Sequence, residues 1–183
     1  IPSVDIVGLP DGAVKEARER VRAAIRNSGF LFPLDRLLIS LAPAGVKKGG
    51  ASFDLAIALA VLSASGQLPD DGVPVMALGE LELSGRVRPV VGVLPAVAAG
   101  LRAGVPRFIV PRSNIGEARV LAGARALAID ELRDCALLGH ASGPADEVDS
   151  SPPSPRPVEA DIADIRGQDR LRRAMEIAAA GGH

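Results

Sequence analysis

The glycine-rich turn at residues 47–52 holds residue types that a serine hydrolase uses. Ser52 follows Lys47 and Lys48 closely, and no lysine occurs after Lys48. A serine hydroxyl is a weak nucleophile, so it needs an adjacent base such as a lysine with a lowered pKa. Because Ser52 stands at the start of a long apolar segment, the sequence favours a helix cap or a packing role over catalysis. We therefore predict no peptidase activity.

The same turn could bind phosphate, because glycines let the backbone approach an anion and amides at a helix start attract one. It is not a Walker A loop, which requires G-x-x-x-x-G-K followed by Ser or Thr, with the lysine directly after the second glycine. Here Lys47 and Lys48 precede Gly49 and Gly50. A solvated turn is the favoured interpretation.

A basic stripe runs along one predicted helix, residues 13–27. Glu16 and Glu19 lie among its basic residues and offer ion pairs, such as Glu19 with Arg22, which partly cancel the field. Such a stripe can contact DNA phosphates, with an affinity that falls steeply with salt. We favour a solvated helix face, with DNA contact as the alternative. The members of the stripe are Lys15, Arg18, Arg22 and Arg26.

The composition of the chain excludes several other kinds of functional site. The chain has 183 residues with 48% hydrophobic content, a formal net charge of -1 and 2% aromatic residues, so stacking platforms for single-stranded nucleic acid are scarce. Cys135 is the sole cysteine and the two histidines are far apart, which excludes a disulfide framework and a zinc cluster. Since no apolar segment is long enough for a bilayer and no targeting segment opens the chain, we expect a cytoplasmic protein without a membrane partner.

Hydrophobic periodicity and turn residues predict the elements that position these side chains. The alternation of strands and helices indicates an α/β (α+β) domain with helices packed on a sheet. One helix is apolar on nearly every side except Asp54, which predicts a central, buried position. Predicted strands cover residues 3–9, 36–42, 107–110 and 126–129, with a hairpin of 73–83 and 86–91. Predicted helices cover residues 13–27, 53–64, 94–104, 115–122, 131–138 and 168–180.

A proline-rich segment divides the chain. Prolines occur at positions 144, 152, 153, 155 and 157 among serines and acidic residues, a composition that does not support a packed core. We predict one domain at residues 1–139, a linker at 140–163 and the start of a second module at 164–183. The first residue is Ile1 and the chain stops at His183 directly after a helical pattern, so we expect both ends to be truncations.

Several blocks of the sequence, taken together, resemble the ComM/YifB family of magnesium-chelatase-like AAA+ ATPases. They are VGLPD at 7–11, VKEARERVRAAI at 14–25, NSGF at 27–30, ISLAPA at 39–44, KKGGASFDLAIA at 47–58, GEL at 79–81, GRVRP at 85–89, DIRGQ at 164–168 and EIAAAGGH at 176–183. The resemblance covers essentially the whole chain. It implies a ribosomal-S5-domain-2-like, Lon-protease-like domain with helices packed on a mixed sheet, followed by an AAA+ module cut before its Walker A loop.

The resemblance also implies a function. The family is associated with hexameric, helicase-type motors for DNA branch migration in natural transformation and recombination, and it carries the names magnesium-chelatase-like and competence protein. ATP and Mg2+ would bind the full-length protein, with Ile165 and Gly167 on the adenine side. This fragment itself would hold no cofactor and would be non-catalytic.

Two alternatives stay open. A Lon-like serine peptidase would carry its nucleophile at Ser52, but the lysine that such enzymes place near the start of a later helix would fall at residues 94–96, which are Leu, Pro and Ala. A metal-chelatase-type ATPase motor would share the ATPase module. The leading expectation is an accessory domain that contributes to ring assembly or to substrate engagement.

Overall fold

A turn at Asp11 connects the first strand of the chain to its first helix. In the computed structural model, which describes residues 4–137 and 167–181, β1 (Val4–Val7) leads through Asp11 into α1 (Gly12–Asn27). The Asp11 carboxylate accepts a hydrogen bond from the Val14 amide at 2.8 Å, which satisfies one of the unpaired donors at the helix start. Apolar residues at helical spacing form the buried side of α1, namely Val14, Ala17, Val21, Ala24 and Ile25.

The second strand returns beside the first. β2 (Leu37–Ser40) pairs with β1 in parallel, with Ile39 opposite Ile6. A 3-10 turn, Ala51–Phe53, then precedes α2 (Asp54–Ala64). The predicted burial of this helix is confirmed on one broad face, which spans about 160° of the helix, whereas Ala60 and Ala64 are exposed. The buried residues of this face are Asp54, Leu55, Ile57, Ala58, Val61 and Leu62.

A three-stranded parallel sheet forms the second half of the domain. It consists of β3 (Val75–Ala77), β6 (Arg107–Pro111) and β7 (Arg125–Ile129), with β6 in the centre. Parallel strands of this kind are buried on both faces, which explains why 107–110 and 126–129 are continuously apolar apart from Arg107.

Two helices cover one face of that sheet. α3 (Val93–Arg102) and α4 (Ile115–Arg119) pack against Phe108 and Val110. Ile109 belongs to the other apolar cluster, which contains the buried residues of α1 and α2. Since successive side chains of a strand point to opposite faces, β6 joins the two apolar clusters.

The predicted hairpin forms only next to its turn. β4 (Glu80–Leu81) and β5 (Val87–Arg88) pair in an antiparallel manner, whereas β3 pairs with β6. The chain changes sheets at Gly79, where an added Cβ would lie 2.7 Å from the Val87 side chain and 3.2 Å from that of Leu55. Segment 73–83 is therefore divided between two sheets at a glycine that packs closely against α2.

The α/β class is confirmed, and the strands within residues 4–137 form three small sheets. The predicted helix at 131–138 is a 3-10 helix, Leu132–Leu137, because the Asp134 carboxylate accepts hydrogen bonds from the amides of Asp130 and Glu131 and tightens the turn. Predicted helix 115–122 is shorter, since α4 ends at Arg119.

Contacts divide the chain into two compact units, Ile1–Asp146 and Glu147–His183. In the second unit, α5 (Asp169–Gly181) confirms the helix predicted at 168–180. Leu171, Met175 and Ile177 of α5 are exposed. The predicted linker at 140–163 lies outside the described residues, so its boundaries stay predictions.

Candidate functional site

Lys48 is a buried structural cation. Its side chain is 7% exposed, and its ammonium donates hydrogen bonds to the carbonyl oxygens of Leu41, at 3.1 Å, and Pro43. The prediction of a solvated turn is therefore wrong at Lys48, although Lys47, Gly49 and Gly50 are exposed. These two hydrogen bonds direct the Lys48 ammonium to backbone carbonyl oxygens.

The Asp11 carboxylate occupies the positions where an anion would bind. Besides capping α1 through Val14, it accepts a hydrogen bond from the Gly50 amide at 3.1 Å. The hydrogen bond from Val14 lowers the pKa of Asp11 most, with Gly50 and Lys47 adding to the effect against the opposing cost of desolvation. A phosphate at this turn would have to displace a carboxylate of the chain itself, which argues against the phosphate-binding interpretation.

Ser52 lies inside the 3-10 turn and does not cap a helix with its side chain. Neither Ala51–Phe53 nor α2 begins with a side-chain capping hydrogen bond, so the predicted cap is wrong. The 3-10 turn makes Asp54 the first residue of α2, one residue later than a cap at Ser52 would require. What Ser52 contributes is its carbonyl oxygen, which accepts a hydrogen bond from the Gly79 amide at 3.1 Å.

No lysine reaches Ser52 from the position that a Lon-like peptidase would use. Residues 94–96 lie in the first turn of α3 and are Leu, Pro and Ala. Lys48, the nearest lysine in sequence, donates its protons to carbonyl oxygens. Neither Lys48 nor residues 94–96 therefore supply the base that a nucleophilic Ser52 would need.

A buried ion pair that the sequence analysis missed joins α1 to α2. Asp54 is 0% exposed and accepts two hydrogen bonds from the guanidinium of Arg20, at 2.8 Å from Nε and 3.0 Å from Nη2. The Leu81 amide donates to the same carboxylate at 3.3 Å, and Arg20 also donates to the Ala13 carbonyl. The hydrogen bond to Asp54 raises the pKa of Arg20.

The signal for this pair was present in the sequence. Asp54 is the one charged residue in an otherwise apolar helix, and a carboxylate buried there requires a cationic partner. Arg20 lies outside the predicted stripe of Lys15, Arg18, Arg22 and Arg26, and so it was not identified as the partner of Asp54.

The structure places all four stripe residues on the exposed side of α1. The predicted pair of Glu19 with Arg22 is not formed, because Glu19 accepts from Arg18 at 3.0 Å. Arg22 lies instead over the ring of Phe32, with 5.8 Å between Cζ and the ring centroid. The four cations therefore share one exposed surface, on which Arg18 and Arg22 already have partners within the chain.

The two adenine-side residues fall at the edge of the described structure. Gly167 has a φ of +71° just before α5, a backbone conformation that favours glycine, and Ile165 lies outside the described residues. Within residues 4–137 and 167–181, no group of three or more metal-ligating side chains occurs, and no helix is long and apolar enough to cross a membrane.

Comparison with known proteins extends the sequence resemblance. A family model described as subunit ChlI of Mg-chelatase matches residues 1–114. The uncharacterised protein YifB of Escherichia coli is 40% identical over 190 residues, covering 100% of this chain and 36% of YifB. Competence protein ComM of Haemophilus influenzae is 37% identical over 188 residues, covering 100% of this chain and 37% of ComM.

A shorter similarity concerns a peptidase. Lon protease 2 of Bacillus subtilis is 32% identical over 100 residues, which cover 55% of this chain and 18% of that protein. The chain therefore resembles part of a Lon protease, while it spans little more than a third of the length of YifB or ComM.

Proposed function

Because the chain belongs to the ComM/YifB family of magnesium-chelatase-like proteins, we propose that it is an accessory domain of an ATP-driven AAA+ motor. The observation that carries this proposal is the extent of the similarity. It runs through 100% of the chain, yet the chain covers only 36% of YifB and 37% of ComM. In this proposal most of the chemistry belongs to the parts of the longer protein that are outside this chain.

The motor of the longer protein would be a hexameric helicase-type enzyme that moves DNA branch points in natural transformation and recombination. The name of the relative ComM, a competence protein, supports a role in natural transformation. ATP and Mg2+ would be the cofactors of the longer protein, with Ile165 and Gly167 on the adenine side. A chelatase-type motor is the second candidate, because the matching family model describes a subunit of Mg-chelatase.

The chain itself would be non-catalytic. The support is local, since Lys48 is engaged with backbone carbonyls and residues 94–96 include no lysine. A casein or peptide cleavage assay should show no turnover above that of Ser52→Ala. Cleavage that disappears in Ser52→Ala would overturn this part of the proposal.

The longer protein tests the motor function. The purified protein should hydrolyse ATP and convert a synthetic four-way junction to duplex products without a partner subunit. A matched protein lacking residues 1–139 should lose more junction conversion than ATP hydrolysis, because the accessory domain supports assembly or substrate engagement. ATP hydrolysis with no junction conversion, together with metal insertion into a porphyrin when partner subunits are added, would favour the chelatase candidate.

A further inference from the structure

Two loops with exposed leucines flank the last turns of α1. Leu31 is 80% exposed and Leu83 is 58% exposed. The loop that carries Leu31 lies on the side of Arg22, whose guanidinium covers the Phe32 ring. The β4–β5 turn that carries Leu83 lies on the side of Asn27, whose amide donates to the Leu83 carbonyl at 2.6 Å. Arg22 and Asn27 are about 140° apart around the helix, so the exposed face of α1 lies between the two leucines.

The backbone of both loops is held in place. Gln67 donates to the Leu31 carbonyl at 2.6 Å and accepts from the Leu31 amide at 2.7 Å, so one side-chain amide engages both backbone groups. On the other side, Gly85 packs so closely against α1 that an added Cβ would lie 2.2 Å from the Ser28 hydroxyl oxygen. Apolar side chains on fixed backbone lose little conformational entropy when a partner covers them.

The face between the leucines is cationic. Arg22 and Arg26 are exposed, and Arg26 has no ion pair within residues 4–137 and 167–181. The carboxylates of Glu19 and Glu82 pair with other arginines, at 3.0 Å and 2.8 Å. These carboxylates therefore leave the positive charge of Arg22 and Arg26 available to a partner.

We infer that Arg22, Arg26, Leu31 and Leu83, here termed the α1 patch, bind an acidic polypeptide segment with apolar side chains among its carboxylates. Arginine binds carboxylates in bidentate geometry, and apolar anchors on a rigid backbone supply the complementary part of a peptide interface. Single-stranded nucleic acid fits the patch less well, because Leu31 and Leu83 are aliphatic and offer no aromatic surface on which bases stack. Phosphate contacts of duplex DNA would use the two arginines and would leave the two leucines without a role. The inference adds a partner to the proposed accessory role and does not depend on the substrate of the motor.

Fluorescence anisotropy with the full chain tests the α1 patch. The probes are a labelled synthetic peptide of repeating Glu-Leu pairs, a matched peptide of Glu-Ser pairs, and mixed-sequence single-stranded and duplex DNA. We expect the Glu-Leu peptide to bind at physiological salt at least about tenfold more tightly than the Glu-Ser peptide and either DNA.

Two double variants separate the charged from the apolar contribution. Arg22→Glu/Arg26→Glu should weaken binding of the Glu-Leu peptide by more than about tenfold, because like charges then face each other. Leu31→Ser/Leu83→Ser should remove the preference for Glu-Leu over Glu-Ser. The exposed controls Arg125→Glu and Val120→Ser should change neither the affinity for the Glu-Leu peptide nor its preference over the Glu-Ser peptide. Circular dichroism should show that all four variants are folded.

Three results would overturn the inference. They are no binding of the Glu-Leu peptide even at low salt, equal binding of the two peptides, or tighter binding of DNA than of peptide. The last result would make the patch a nucleic-acid surface and would leave the proposed motor function intact. Absence of junction conversion by the intact longer protein, in contrast, would contradict the motor function without changing peptide binding by this chain.

Discussion

Removing either partner of the buried Arg20–Asp54 pair should strongly destabilise the first unit, and the two losses should be unequal. In Arg20→Met, the Asp54 carboxylate stays 0% exposed and keeps one hydrogen bond, from the Leu81 amide at 3.3 Å. In Asp54→Ala, the Arg20 side chain, which is 22% exposed, can turn towards solvent and Glu16.

The size of the expected loss in the free energy of unfolding follows from the burial of the ion pair. Removing one partner of a buried pair costs about 3–5 kcal/mol, most of it from the uncompensated charge that remains. We therefore expect Asp54→Ala to lower the free energy of unfolding by about 3 kcal/mol and Arg20→Met by about 5 kcal/mol. The double variant Arg20→Met/Asp54→Ala should cost clearly less than the sum of the two single losses, since it leaves no buried charge.

Urea unfolding followed by far-ultraviolet circular dichroism, with linear extrapolation to water, measures these differences. Arg36→Met is the matched control, because its pair with Asp5 spans 3.5 Å between exposed side chains. It should cost less than about 1 kcal/mol. If Arg20→Met and Asp54→Ala cost no more than Arg36→Met, or if Asp54→Ala costs more than Arg20→Met, the reasoning from burial is wrong.

Three further predictions concern the loops around the start of α1. Lys48→Met should lower the free energy of unfolding by about 2 kcal/mol in urea, because two carbonyls lose a charged donor, whereas exposed Lys47→Met should have no effect. Gly8→Ala should reduce the melting temperature sharply, since φ is +102° and an added Cβ would lie 2.1 Å from a backbone carbonyl oxygen, while Gly12→Ala meets open space and should not. Asp11 has a pKa below its ordinary 3.8, so its contribution to stability is present above pH 3.8 and is lost as pH falls through the lower folded-state value. Asp11→Asn should therefore flatten the loss of stability with acid below pH 3.8, measured as the urea midpoint against pH; a slope equal to that of the unchanged chain would contradict the role of this carboxylate.

Helices and strands were predicted well where their formation depends only on patterns among residues close in sequence. The helix predicted at 13–27 is α1, Gly12–Asn27, and the strand predicted at 107–110 is β6, Arg107–Pro111. The buried position of α2 followed from its apolar residues on every side. Boundaries were wrong where a turn competed with a helix, as in the 3-10 helix Leu132–Leu137.

The candidate site was predicted less well, because its decisive contacts join distant segments. Lys48 looked like a solvated turn residue, since nothing in the sequence places the carbonyls of residues 41 and 43 around its ammonium. Ser52 looked like a helix cap, because the sequence does not distinguish a 3-10 turn from the first turn of an α-helix.

The sequence by itself determined the class of the domain, the amphipathic α1, the buried α2 and the family, because periodicity and local motifs carry that information. The tertiary structure alone decided that β3 pairs with β6, that Arg20 neutralises Asp54 from 34 residues away, and that the glycine turn is closed by Asp11. Those contacts depend on how the elements pack in three dimensions, and sequence spacing does not encode which distant charges and backbone groups will meet.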